Sequence, residues 1–480
     1  MKFTRRSLLG AGASALATGA LATPSRVLKP FGTKKPKNVI FCVSDGMAHQ
    51  TMAMADQLQL LTSGKRSYWA SLLDEKYATS GLQETRSLSS IVTDSAAASA
   101  AWGSGRRQWN GQLNMYPDGT ELRSLTKIMS AAGVRCGLVT TTTITHATPA
   151  GFAVSSFRRD DEQGIAEKYL GAGVDVLMGG GNRFFAADKR KDKRDLYAEF
   201  QKAGFKVARS RQQLESLRSG KALGIFSESH LPFSVDWDND AKLQSEVPTL
   251  AEMAKTAIQN LKGSSNGFLL QIEGGKVDHA AHGNDLAGMI YDQIAFEEAV
   301  RVAVEFALAD DETLVIITAD HATGGPSLNG AGNEYFDSTA GLKTISGMKS
   351  SYTPVWAAIG NAPTPSSIQG VIESKLGIQL KTEEAQAIID SMGNKHPFGT
   401  SMFYRSPGST LAMVLGNHSK VTWTSGNHTS EHVLVTAVGP GSEAVAGLTQ
   451  NTSFFDMILG TKDLKWSNPT MSFEEAKKHM

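Results

Sequence analysis

Apolar positions in this chain gather into short continuous runs rather than strict alternation. Val39-Ile40-Phe41-Cys42-Val43 lies within the first, 38–43, and comparable runs recur at 134–141, 174–179, 222–226, 267–272, 313–318 and 433–438. A strand apolar on both faces belongs inside a parallel sheet that is covered on both sides. Helical periodicity occupies several of the intervals, at 250–261 and 290–308. The alternation predicts an α/β fold, doubly wound, with a mainly parallel central sheet and helices on both faces. Residues 334–425 break the pattern, being rich in Gly, Ser, Thr, Pro and Asn with one amphipathic helix near 382–392. They predict an inserted cap- or crown-like subdomain, after which the sheet resumes near 433.

Composition narrows the class. With 480 residues, 41% apolar and 20% charged, the chain can bury a large core. Its 48 basic and 47 acidic residues exclude a general nucleic-acid or membrane-surface binder. The strongest basic run, Lys189-Arg190-Lys191-Asp192-Lys193-Arg194, reads as a solvated surface. Cys42 and Cys136 both sit in apolar runs and read as buried thiols, without a disulfide framework or a Cys-x-x-Cys pair.

The N-terminus carries an address. Arg5-Arg6 precedes a Gly/Ala/Leu stretch ending in Ala20-Leu21-Ala22, the pattern of a twin-arginine export signal with small-residue cleavage. Residues 1–22 are expected to be removed, leaving a net charge of −2 and a Pro/Lys-rich lead-in at 23–37. Residues 38–480 then form the folded domain, expected in the periplasm or outside the cell, without stable membrane insertion. That pathway carries folded proteins, which suits one that acquires its metal before export.

Ligands of open α/β sheets bind beyond the carboxyl ends of the strands. The run at 38–43 is followed by Ser44-Asp45-Gly46-Met47, the run at 267–272 by Glu273-Gly274-Gly275-Lys276-Val277-Asp278-His279-Ala280-Ala281-His282, and the run at 313–318 by Ala319-Asp320-His321-Ala322-Thr323. One carboxylate at such a turn is ordinarily a helix cap. Three strands ending in carboxylates, two with histidines close behind, form a metal-site constellation. On a helix, Asp278 and His282 share a face. Asp and His without Cys favour zinc, with magnesium where only oxygens are offered. Ser95, in Thr93-Asp94-Ser95-Ala96-Ala97, is the candidate nucleophile at a helix start, where amides hold anions but where an ordinary N-cap also fits. Without a Gly-x-Ser-x-Gly elbow, its activation falls to a metal.

The ordered set of Ser44-Asp45-Gly46-Met47, Thr93-Asp94-Ser95-Ala96-Ala97, His146-Ala147-Thr148-Pro149, Glu273-Gly274-Gly275 with Asp278 and His282, Asp320-His321 and a late His428 resembles the alkaline phosphatase family. The resemblance runs from about residue 38 to 440. It implies hydrolysis of phosphate monoesters through a phosphoserine at Ser95, with inorganic phosphate released. It implies one zinc on Asp278, His282 and His428, a second on Asp45, Asp320 and His321, and a magnesium on Asp45, Thr148 and Glu273. Arg159 would clamp the phosphate, with the adjacent Arg158 as the alternative. His428 fits the family interval to Gly439-Pro440, while His432 reads as structural and His418 as surface. His146 and His279 stand where some members carry Asp and Lys, beside the third ion or the phosphate. A phosphodiesterase, the nearest rival, usually has Thr at the nucleophile and lacks the clamp and third site; a sulfatase would need a modifiable Cys or Ser setting absent here. The physiological substrate, the choice between monomer and homodimer, the third ion and the role of 334–425 as lid, subunit contact or decoration stay open.

Overall fold

The computed structural model describes residues 35–393, 395, 401–404 and 406–480. The proposed signal, most of the lead-in, and Phe398, one of the aromatics of 334–425, lie outside the described residues. In chain order the strands are β1 (Asn38–Ser44), β2 (Ala78–Glu84), β3 (Arg135–Thr143), β4 (Val176–Gly180), β5 (Phe205–Ala208), β6 (Lys221–Ile225), β7 (Phe268–Gly274), β8 (Thr313–Thr318), β9 (Ala322–Thr323), β10 (Pro326–Leu328), β11 (Val421–Trp423), β12 (His428–Thr429), β13 (Val433–Val438) and β14 (Gly447–Gln450). Ten of them form one sheet in the order β14-β2-β13-β8-β1-β7-β3-β4-β6-β5.

Every apolar run of the sequence is a strand of this sheet, and the pairing is parallel except around β13, which runs antiparallel to β2 and β8. The central strand β1 shows why its run is continuous. Ile40 and Cys42 enter the core on one face, and Val39, Phe41 and Val43 enter the core on the other. The helices Leu250–Leu261 and Leu286–Asp310 cover the first face, and Ser95–Ser104 and Ala147–Ala153 contribute to the second. Both cysteines are buried thiols.

Two expectations need correction. The basic run at 189–194 is not wholly solvated: Arg190 is 0% exposed, its guanidinium bonded to Asp192, Glu167 and the carbonyls of Phe184 and Gln163. Five hydrogen-bonding N–H groups in a rigid fork make such burial tolerable for arginine where lysine would be stranded. Within 334–425 the structure has, besides the expected helix Thr382–Met392, the helices Phe336–Thr344, Tyr352–Ile359, Pro365–Leu376 and Pro407–Ser419. Thr364 and Ser406 cap two of them, each followed by Pro at the first turn, so residues that read as loop-like are here helix starts. The pairing of β10 with β11 closes the base of this segment.

Candidate active site

The parallel registers of β1 with β7 and β8 bring the ends of three strands together, so Asp45, Glu273 and Asp320 emerge side by side. The turn after β1 requires Gly46: its φ is +71°, and a Cβ there would lie 2.6 Å from Asp278 Oδ1. Its amide donates to Asp320 Oδ1 at 3.0 Å. Beyond β7 the chain turns directly into the helix Lys276–His282, which places Asp278 and His282 on one face with His282 Nε2 3.4 Å from Asp278 Oδ2. The β9–β12 pairing sets His428 opposite Thr323, and the His428 and His321 rings stack with centroids 3.6 Å apart.

Tautomers follow from the hydrogen bonds. His282 Nδ1 donates to Gly426 O at 2.7 Å and His428 Nδ1 to Thr93 O at 2.8 Å, so both Nε2 atoms present lone pairs, 3.0 Å apart. Thr323 Oγ1 donates to Asp278 Oδ1 at 2.6 Å and lies 3.2 Å from His321 Nδ1, which leaves His321 Nε2 facing Ser95 Oγ at 3.2 Å, Asp320 Oδ2 at 3.1 Å and Asp45 Oδ1 at 3.7 Å.

Among the described residues three groups have ligand atoms within 4.8 Å of one another: Asp278, His321 and His428; Asp45, Asp320 and His321; and Asp45, His146 and Glu273. The second has the same members as the set the resemblance implies for one zinc. The first takes His321 where His282 was expected, with His282 Nε2 standing at its edge against His428. In the third, His146 joins Asp45 and Glu273, while Thr148 Oγ1 is buried nearby in sequence at the start of the helix Ala147–Ala153.

These residues fit divalent cations. Both oxygens of Asp45, Asp320 Oδ2, Glu273 Oε1 and Thr148 Oγ1 are buried without a hydrogen-bond partner among the described residues, a combination that costs several kcal/mol unless a cation meets it. Burial, with Asp320, Asp278 and Glu273 close by, holds the Asp45 carboxyl well above the usual range, and burial pushes Asp320 up to about 7. Burial lowers the pKa of His321 and of His428, which favours the neutral form that ligates metal.

Ser95 opens the helix Ser95–Ser104, but Asp94 is its cap, accepting from Ala97 N at 2.9 Å through Oδ1. The serine hydroxyl therefore faces the cluster. Asp94 Oδ2 accepts from Arg159 Nη1 at 3.1 Å, and Arg159 Nη2 donates to His146 Nε2 at 3.1 Å. Arg159 thus reaches the site, while Arg158 is exposed. His432 precedes β13, and His418 bonds to Glu384 within 334–425.

Sequence reasoning missed three contributors. Thr323 orients both Asp278 and His321, and its place two residues after His321 was the available signal. Thr140 donates to Glu273 Oε2 from the neighbouring strand. His230 packs against His279 and His146 from a loop that carries no motif.

The alkaline phosphatase family model matches residues 36–463. Alkaline phosphatase 3 of Bacillus subtilis is 32% identical over 453 residues, covering 92% of this chain and 92% of that protein. The repressible alkaline phosphatase of Saccharomyces cerevisiae is 36% identical over 335 residues, 64% of this chain and 58% of that one. The crystal structure of Thermus thermophilus alkaline phosphatase superposes with a TM-score of 0.87 at 32% identity, covering 97% of this chain and 99% of that one. Motif order, sheet, cation-ready clusters and full-length similarity agree: the chain belongs to the alkaline phosphatase family, the metal-dependent phosphomonoester hydrolases.

Proposed function

We propose that Ser95 is the nucleophile of this hydrolase and that Arg159 holds the transferring phosphoryl group. The observation that carries the reading is the transfer of the cap to Asp94, which leaves the Ser95 hydroxyl 3.2 Å from His321 Nε2 and at the positive end of a ten-residue helix. Ser95 Oγ forms a bond to phosphorus as the bond to the alcohol oxygen breaks, and the alcohol leaves with a proton. Water then attacks the phosphoserine, the Oγ–P bond breaks, and inorganic phosphate departs. Two in-line displacements retain configuration at phosphorus. Arg159, oriented by Asp94 on one nitrogen and His146 on another, offers a planar fork to two non-bridging oxygens.

Two zinc ions would be held by Asp278, His282 and His428, with His321 at the border, and by Asp45, Asp320 and His321. A magnesium would be held by Asp45, Thr148 and Glu273, with His146 beside it. Bound there, these cations supply Lewis acidity toward the reacting oxygens and neutralise the carboxylates.

Residues 1–22 would direct export by the twin-arginine pathway to the periplasm or medium, a reading supported by Arg5-Arg6 and the Ala20-Leu21-Ala22 exit. Among the described residues no helix is long and apolar enough to cross a membrane. Residues 38–480 would act as one catalytic domain carrying 334–425 as an insertion.

The test is steady-state turnover of a phosphate monoester, a phosphate diester and a sulfate ester by metal-analysed protein, with phosphopeptide mapping after an acid quench. Preference for the monoester and label on Ser95 are expected. Label elsewhere, or preference for either other ester, would overturn the reading.

A further inference from the structure

We infer that His230 is a positioning residue for the phosphate-binding guanidinium of Arg159, acting through a cluster of three imidazoles. The inference rests on the clamp role proposed above for Arg159.

His230 lies in the loop between β6 and the helix Ser234–Asp238. The loop is fastened across the ends of β3 and β4: Phe226 N donates to Gly179 O at 2.9 Å, Leu231 N to Thr141 O at 2.9 Å, and Thr143 N to His230 Nδ1 at 3.0 Å. An imidazole nitrogen that accepts from an amide carries a lone pair, so the ring is neutral with its proton on Nε2, and its plane is fixed.

The ring fixed in this way meets two others. Its centroid is 4.4 Å from that of His279 at an interplanar angle of 74° and 5.8 Å from that of His146 at 89°, while His146 and His279 are 5.4 Å apart at 86°. All three contacts are edge-to-face, the arrangement that aromatic quadrupoles favour. His146 is thus boxed by two rings, and its Nε2 accepts from Arg159 Nη2 at 3.1 Å. The other arm of Arg159 is held by Asp94, which is itself fixed by Ala97 N and Gly111 N. A bidentate fork is useful only when both arms are fixed, and on the His146 side the packing leads back to the loop carrying His230.

Two variants separate the functions of the ring. His230→Asn retains an acceptor for Thr143 N–H but removes the ring edge, and His230→Phe retains the edge but removes the acceptor. Inorganic phosphate binding is measured by calorimetry on the metal-loaded protein, alongside metal content, melting temperature and the separate kcat and KM of a monoester. His230→Asn is expected to weaken phosphate binding about fivefold and raise KM with it, at unchanged metal content and melting temperature. His230→Phe is expected to stay within about twofold of wild type in phosphate affinity. In the Arg159→Ala background, His230→Asn should have no further effect on phosphate affinity. Unchanged phosphate affinity in folded, metal-loaded His230→Asn would overturn the inference. So would an equal loss in both backgrounds, because the ring would then act by another route. Failure of Arg159→Ala itself to weaken phosphate binding would reject the clamp reading instead, which distinguishes the two failures.

Discussion

The Nε2 atoms of His282 and His428 face each other at 3.0 Å although the Nδ1 of each ring already donates to a main-chain carbonyl. Two opposed lone pairs repel unless a cation or a proton lies between them. Removing metal with a chelator is therefore expected to lower the melting temperature by several degrees, since a ligand held at about 1,000 times its Kd contributes about 4 kcal/mol. His428→Ala should lower zinc content by about one ion per chain. Identical melting curves for stripped and loaded protein at neutral pH would show that the cluster is satisfied without metal.

Ser95→Ala should abolish phosphoserine formation and reduce monoester kcat by at least about 10³-fold, the scale seen when a nucleophile is removed. Because the variant leaves every His and carboxylate of the two proposed zinc sets in place, zinc content should stay near the wild-type level. Acid-quenched mass spectrometry measures the first quantity and elemental analysis the second; loss of most zinc would mean that the hydroxyl is a principal ligand.

Arg159→Ala is expected to weaken phosphate inhibition by about 10- to 100-fold, in line with about 1.5–3 kcal/mol for a hydrogen bond to a charged group. Monoester turnover should fall more than diester turnover, because a diester has esterified one of the oxygens the fork would hold. Equal losses on the two substrates would place the clamp elsewhere, with Arg158 examined next.

The site's carboxylates were legible because parallel strands deliver their ends to one edge, so an acid after each apolar run predicts convergence without knowledge of the intervening chain. Asp45, Asp320 and His321 follow that logic. His230 does not, since its role depends on a loop crossing two strand ends and on ring contacts with residues distant in sequence. Strand β2, Ala-Thr-Ser-Gly-Leu-Gln-Glu, one in from the sheet edge, is mostly half-buried and has no continuous apolar run, so only its pairing with β13 and β14 reveals it. Arg190 was unreadable for the opposite reason: a charge run looks solvated until the partners that permit burial, Glu167 and the Phe184 carbonyl, are brought to it.

Asp292 gives a pH-dependent test away from the metal ligands. Burial pushes its carboxyl up to about 7, partly offset by Ser234 N donating at 2.9 Å. A carboxyl raised on folding binds more protons in the native state than in the unfolded one. Its contribution is therefore most favourable below about pH 4 and is lost as pH rises toward 7, with a plateau above. Asp292→Asn keeps an acceptor for Ser234 and removes the ionisation. The variant should match wild type near pH 4.5 and exceed it by about 1–3 kcal/mol at pH 8, as read from urea unfolding of both proteins in the same buffers. A constant difference between the two pH values would mean that Asp292 titrates normally.

Residues 334–425 leave and rejoin the sheet region at the rim of the site, because β10 and β11 pair directly after β9 and before β12. Its return path touches that rim: Asn284, two residues beyond His282, donates to Ser425 O at 2.7 Å, and Tyr404 Oη donates to Trp423 O at 2.7 Å. Its outgoing path is pinned by Ser351 N on Asp236 at 2.8 Å and Tyr352 N on Asp285 at 2.6 Å, so the segment's base is fixed to the catalytic sheet's helices. Beyond this base, Tyr335 and Phe336 are 71% and 73% exposed side by side, with Met402 and Phe403 also exposed. Adjacent exposed aromatics on a segment anchored at a site rim fit contact with a large substrate or a second subunit better than decoration. Replacing Tyr335 and Phe336 together with Ser should leave zinc content and turnover of a small monoester within about twofold, since neither side chain belongs to the buried core. The same variant should change either the preference for large over small monoesters or the mass measured by light scattering. Unchanged preference together with unchanged mass would assign these two aromatics to surface decoration.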